Sequence, residues 1–153
     1  MSAQISAARI VGVAREWLDT PYHHQASLPG VGCDCVGLLR GVFRDLYMIE
    51  AEIGDPYSGD WAETTGQERL LFGLRGHLVE RVPDSGIHAI KPGDVLVFRM
   101  RDTALATHVA IATGPDTMIH SAEGRPVTEV AILSWWRRRL VAVFEFPASS
   151  PRT

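Results

Sequence analysis

The chain has 153 residues, 46% of them hydrophobic and 22% charged. That is the size and composition of one folded domain, able to bury roughly 70% of the surface its unfolded chain exposes, and it excludes a disordered chain. Fifteen Lys and Arg against 18 Asp and Glu leave a formal charge of −3, which argues against a nucleic-acid-binding domain, whose partner is a polyanion. The two cysteines, Cys33 and Cys35, stand too close in sequence for a useful crosslink, so this is no disulfide scaffold. No apolar run reaches the roughly 18 residues of a membrane-spanning helix, and no membrane insertion is expected. Arg9, Arg15 and Glu16 interrupt the start of the chain, which does not read as a Sec signal; synthesis in the cytoplasm follows.

The first half is helical in pattern. Ile10, Val13, Ala14, Trp17 and Leu18 lie at i, i+3, i+4, i+7 and i+8, one apolar stripe that Pro21 should end. A polar loop follows from Tyr22 to Gly32. Cys35, Leu38, Leu39, Val42, Phe43 and Leu46 repeat the helical spacing, with Asp34 placed as N-cap. A third helix should begin at the capping box Thr64-Thr-Gly-Gln67 and run through Leu70, Leu71 and Leu74.

The second half reads as strands joined by tight turns: 94–100 after the Pro92-Gly93 turn, 108–113, 118–121 after the turn at 114–116, and 140–146. Helices first and strands later predict an α+β fold, with helices on one face of an antiparallel sheet. One domain over residues 1–147 is expected, with a disordered tail over 148–153.

Cys35 heads a helical stripe directly after a cap. There a thiol meets the partial positive charge and unpaired N–H groups of a helix N-terminus, which favour the reactive thiolate. The same position also suits a small buried cysteine at the top of a core stripe. A thiol nucleophile needs an imidazole within hydrogen-bond reach and a polar group to orient that imidazole. His108 begins one strand and His120 ends the next. With the turn centred on Gly114 they face each other, and a shift of one or two residues makes them diagonal neighbours. His108 then suits a base and His120 its orienter; two unrelated strand histidines are the alternative. His23, His24, Cys33 and Cys35 could form a zinc set, but Cys-x-Cys with adjacent histidines is not a common zinc spacing, and no metal site is expected. Trp135, Trp136 and Arg137 to Arg139 are either a contact patch or a core tryptophan pair beside solvated arginines. His77 and His88 carry no signal.

Together these segments resemble the NlpC-type cell-wall cysteine peptidases. Gly32-Cys-Asp-Cys-Val-Gly-Leu-Leu39 looks like the family's Asp-Cys-Ser-Gly-Leu nucleophile motif, and Lys91-Pro-Gly-Asp-Val-Leu-Val-Phe98 like its proline-glycine-aspartate strand. His108-Val-Ala-Ile through Met118-Ile-His-Ser121 resembles its histidine hairpin, and Thr20-Pro-Tyr22 the Pro-Tyr before the nucleophile. The motifs run in family order over residues 8 to 146. Trp135-Trp-Arg-Arg-Arg139 and Phe144-Glu-Phe-Pro147 look most like the phage-tail and gene-transfer-agent branch.

The resemblance implies a papain-like fold that hydrolyses an amide of the peptidoglycan stem peptide, between D-glutamate, through its γ-carboxyl, and diaminopimelate. Cys35 would attack, His108 would carry the proton and His120 would orient it. The Cys35 backbone N–H would face the oxyanion, with Tyr22 and Asp34 adjacent. No cofactor is implied. Tail or baseplate proteins would be its partners, placing it in a phage-like particle at the periplasmic cell wall. A structural tail component of the same fold and a related cysteine amidase are the alternatives. Val36 replaces the family's serine after the nucleophile.

Overall fold

The computed structural model describes residues 5–53, 66–100 and 106–148. Helix α1 is Ala7–Arg15, capped by the Ser6 hydroxyl, which accepts from Arg9 N at 3.1 Å. The helix stops at Arg15, earlier than the proline predicts. Trp17 and Leu18 lie in the turn after it, and Asp19 takes a left-handed φ of 71°. The reason lies across the molecule: Asp19 N donates to Val127 O, and Val127 N to Thr20 O, each at 2.9 Å. The chain leaves the helix in order to pair with the segment at Val127.

The polar loop holds a two-stranded hairpin, β1 (Ser27–Leu28) and β2 (Gly32–Cys33). Helix α2 spans Cys35–Tyr47, with Asp34 as its N-cap as expected. Helix α3 is Gly66–Arg75; Thr64 and Thr65 of the predicted capping box lie outside the described residues. The remaining elements are β3 (Val79–Arg81), β4 (Val95–Arg99), β5 (Ala106–Ala112), β6 (Thr117–His120), β7 (Thr128–Ala131), a short helix α4 (Ser134–Arg137) and β8 (Leu140–Glu145). They build a six-stranded antiparallel sheet in the order β3-β8-β4-β5-β6-β7. The architecture is α+β, as the sequence predicts.

Alternation along the strands divides the core. Val95, Val97, Val109, Ile111, Ile119 and Phe144 face the side covered by α1, α2 and α3. The other face is not solvated: Leu96, Phe98, Ala110, Ala112, Met118 and Val143 form a second, smaller core under Trp136 of α4. Strand β4 is therefore buried on both faces from Val95 to Phe98. The end of the chain is also held further than expected. Tyr47 donates its hydroxyl to Pro147 O at 2.6 Å, and Ile5 N donates to Ala148 O at 2.8 Å. Ala148, predicted to open the disordered tail, is thus a backbone partner; residues 149–153 lie outside the described residues.

Trp17, fully buried in the turn after α1, packs directly against Gly41 of α2. A Cβ at position 41 would stand 2.0 Å from Trp17 Cζ2 and 2.2 Å from Cη2. A buried ring has nowhere to retreat in a close-packed core. Gly41→Ala should therefore destabilise the fold by about 1–3 kcal/mol, read as a lowered urea midpoint; an unchanged midpoint would show that the ring can move.

Candidate active site

Asp34 sets the start of α2 and with it the position of Cys35. Both carboxylate oxygens of Asp34 are occupied. Oδ1 accepts from Gly37 N and Oδ2 from Gln25 N, each at 2.7 Å, and the side chain is buried. One residue thus caps the helix and ties it to the preceding loop. Asp34 lines a small pocket of about 170 Å³ with Gln25, Val36, Gly37, Arg40 and Ile53, separate from the cleft that holds the histidine. The backbones are drawn equally close. A Cβ on Gly37 would stand 1.8 Å from Ala26 O, and Ser27 Oγ donates to Gly37 O at 2.7 Å. Only glycine fits between helix and loop at this point.

Cys35 is the first residue of α2, with 2% of its surface exposed. Its neighbour Cys33 is fully buried in β2, and burial pushes the Cys33 thiol up to about 11. The Cys33 backbone is held on two sides. Its N–H donates to Pro21 O at 3.0 Å and its carbonyl accepts from His23 N at 3.0 Å, placing Tyr22 alongside. The same carbonyl accepts from Ser121 Oγ at 3.0 Å. Ser121 is buried and directly follows His120. The strand leading to Cys35 is therefore fastened to the residue after the second histidine. Sequence reasoning missed this tie, because an isolated serine has no spacing to give it away.

The two histidines come together. Strands β5 and β6 pair Ile111 with Ile119 and Ala112 with Met118, a register two residues off the symmetric one. This makes His108 and His120 diagonal neighbours, and His108 Nε2 lies 2.9 Å from His120 Nδ1. Their rings stand edge to face, 5.1 Å apart at 87°. Trp136 forms the wall of the pair. It stacks on His108 at 5.4 Å and 25°, meets His120 edge-on at 5.2 Å, and packs against Phe98 at 4.9 Å.

Helix α4 is clamped in that position by Arg137, which donates to Ile132 O, Pro115 O and Asp116 Oδ1 at 2.9–3.1 Å. Arg139 lies 3.8 Å over the ring of half-exposed Trp135. The tryptophan-arginine segment thus divides its work: Trp136 and Arg137 build the histidine site, while Trp135 and Arg139 pair at the surface.

Burial, and then the charge on the other ring, hold His108 well below the ordinary imidazole range. His120 is lowered too, by burial first and then by Arg125. Both rings are therefore neutral at ordinary pH, and each carries one N–H and one acceptor nitrogen. His108 opens onto a cleft of about 430 Å³ lined also by Tyr22, His24, Met100, Ser121, Ala122 and Glu123. Tyr22 and His108 thus line the same cleft. Among the described residues no group of three or more His, Cys, Asp or Glu is placed to hold a metal ion. No helix among them is long and apolar enough to cross a membrane.

The fold has counterparts among known proteins. The profile of the NlpC/P60 family matches residues 19–145. Among solved structures, the chain is similar to the NlpC/p60 domain of the peptidoglycan hydrolase SagA, with 24% identity and a TM-score of 0.61 over 93% of this chain and 100% of that one. It is also similar to an NlpC/P60 family protein from Bacillus cereus ATCC 10987, at 18% identity and a TM-score of 0.67, over 94% of this chain but 41% of that one. NlpC2 from Trichomonas vaginalis gives 18% and 0.62, over 92% and 46%. These likenesses show a shared papain-like fold. Among curated proteins none matches the chain. The family profile spans residues 19–145 of 153, and the chain belongs to the NlpC/P60 family, whose members are cysteine peptidases acting on peptidoglycan.

Proposed function

We propose that this chain is a peptidoglycan endopeptidase that hydrolyses a stem-peptide amide, the D-γ-glutamyl–diaminopimelate bond, with Cys35 as nucleophile, His108 as base and His120 as its orienter. The observation that carries the reading is the buried His108–His120 hydrogen bond, set on a cleft and tied through Ser121 to the strand that delivers Cys35 to the start of a helix.

The roles follow from the ring nitrogens. His108 Nε2 is spent on His120, so Nδ1 is the nitrogen left to take a proton. For Nδ1 to accept, Nε2 must carry the hydrogen and donate it to His120 Nδ1. His120 thereby fixes both the tautomer and the plane of the base. Cys35 Sγ attacks the amide carbonyl as its proton passes to His108 Nδ1. The tetrahedral oxyanion is met by the Cys35 backbone N–H at the positive end of α2. The C–N bond breaks as His108 returns the proton to the departing amine, leaving a thioester. Water, deprotonated by His108, then hydrolyses the thioester and restores the thiol. Trp136, stacked on His108, is placed to favour the imidazolium that forms in each step.

For delivery, we propose a phage-like or gene-transfer-agent-like particle acting at the periplasmic cell wall, with tail or baseplate proteins as partners. The support is the resemblance of residues 135–139 and 144–147 to that branch. Mass spectrometry of purified particles should find the chain there, and its absence from them would remove this part of the reading.

Digestion of purified peptidoglycan, read by mass spectrometry of the muropeptides, tests the activity. New termini at γ-D-glutamate and at the diaminopimelate amine are expected. Cleavage between muramic acid and L-alanine would mean an amidase instead, and no cleavage a structural component. Cys35→Ser and His108→Ala should each lose on the order of 10³-fold or more in kcat. His120→Asn should lose at least about tenfold less than His108→Ala, since an orienter positions the base without taking the proton. Equal losses at both histidines would contradict the division of roles. Chelation with EDTA should leave cleavage intact, whereas a metal-dependent enzyme would stop.

Thiol labelling separates the two cysteines. Iodoacetamide at mildly acidic pH should modify Cys35 and spare Cys33, whose buried thiol is raised to about 11. Preferential adducts on Cys33 would overturn the assignment of the nucleophile.

A further inference from the structure

We infer that Arg125 forms a carboxylate-binding subsite, which holds a free carboxylate of the stem peptide next to the scissile amide. The inference rests on the peptidase reading and adds a specificity determinant to it. A second pocket of about 290 Å³ is lined by Pro21, Tyr22, Gly124, Arg125 and Pro126. Tyr22 belongs both to this pocket and to the cleft that holds His108, so the two adjoin across one side chain. Arg125 is close enough to His120 to depress that imidazole by its charge.

The other arginines near carboxylates are committed. Arg15 pairs with Glu129, Arg40 and Arg44 with Glu50, Arg75 with Glu80, Arg81 with Asp94 and Glu145, and Arg137 with Asp116. Arg125 makes no ion pair among the described residues. Arg9, Arg99 and Arg138 also make none there, but none of the three lines the cleft or the adjoining pocket. The loop that carries Arg125 is fixed in advance. Arg125 N donates to Ala122 O at 3.1 Å, Val127 N to Thr20 O at 2.9 Å, and prolines stand on both walls. An uncommitted guanidinium lining a pocket beside the cleft suits a planar carboxylate, which it can hold by two parallel N–H bonds. A peptide joined through the γ-carboxyl of glutamate to diaminopimelate carries such carboxylates on both sides of the scissile bond.

The test uses the soluble tripeptide L-alanyl-γ-D-glutamyl-diaminopimelate and two analogues. One is amidated at the glutamate α-carboxyl and the other at the diaminopimelate carboxyl nearest the scissile amide. The unmodified chain should prefer the free peptide to one of the analogues by about 10- to 100-fold in kcat/KM; which analogue suffers identifies the carboxylate held. In Arg125→Ala that preference should fall by about tenfold or more, mainly through KM, and Arg125→Lys should keep part of it. A preference unchanged in Arg125→Ala, or no preference in the unmodified chain, would overturn the subsite while leaving the peptidase reading intact. Calorimetric binding of the same three peptides to Cys35→Ala separates the two claims. Carboxylate-selective binding that depends on Arg125, without turnover by the unmodified chain, would keep the subsite and refute the peptidase. Binding of none of the peptides would refute the subsite as well.

Discussion

A single buried hydrogen bond, His108 Nε2 to His120 Nδ1 at 2.9 Å, decides what this site can do. An imidazole has two nitrogens, and using one fixes the chemistry of the other. Here the bond leaves Nδ1 of His108 as the ring nitrogen not spent on His120. Burial keeps the ring neutral until a proton reaches it, because a lone charge in that place would be costly. Trp136 closes the stacked face of the ring, and Arg137 holds Trp136 there by binding the β5–β6 turn. The short helix α4 is thus a working part of the histidine site.

Cys35 and His108 come from opposite halves of the chain, so the placement of one relative to the other depends on a few cross-links between the halves. Ser121 Oγ on Cys33 O joins the histidine strand to the strand before α2. The exchange between Asp19, Thr20 and Val127 brings the Pro21-Tyr22 segment to the same end of the sheet. Gly37 lets the helix approach Ala26 at a distance no other residue allows. All three are backbone contacts or involve small residues. They fix geometry with little conformational entropy to lose, which suits a site that must be rigid before substrate arrives.

The sequence disclosed those parts of the fold that repeat or that carry chemistry. The stripe from Cys35 to Leu46, the cap at Asp34 and strands β4, β5, β6 and β8 were legible, because burial leaves an apolar pattern in the elements it covers. The histidine pair was legible because the turn at 114–116 limits the register to a few choices. Strand β3, of three residues, and helix α4, of four, are too short to show a period, and β7, as long as β6, has no fully buried residue to mark it. The end of α1 was misplaced because a partner more than a hundred residues away, Val127, overrides the local proline signal. The second core beneath Trp136 was also hidden. A continuous apolar run such as Val95-Leu-Val-Phe98 shows that a strand is buried but not what buries its second face.

The chemistry proposed for this site turns on which nitrogen of His108 carries the proton. Long-range ¹H–¹⁵N NMR correlation of the histidine side chains reads this directly. Cys35→Ser is the form to use, since no thiolate charge then bears on the ring. The prediction is a neutral His108 with its hydrogen on Nε2 and an unprotonated Nδ1, persisting as the pH falls well below the ordinary imidazole value of 6.5. A hydrogen on Nδ1, or a His108 that titrates near that ordinary value, would contradict it.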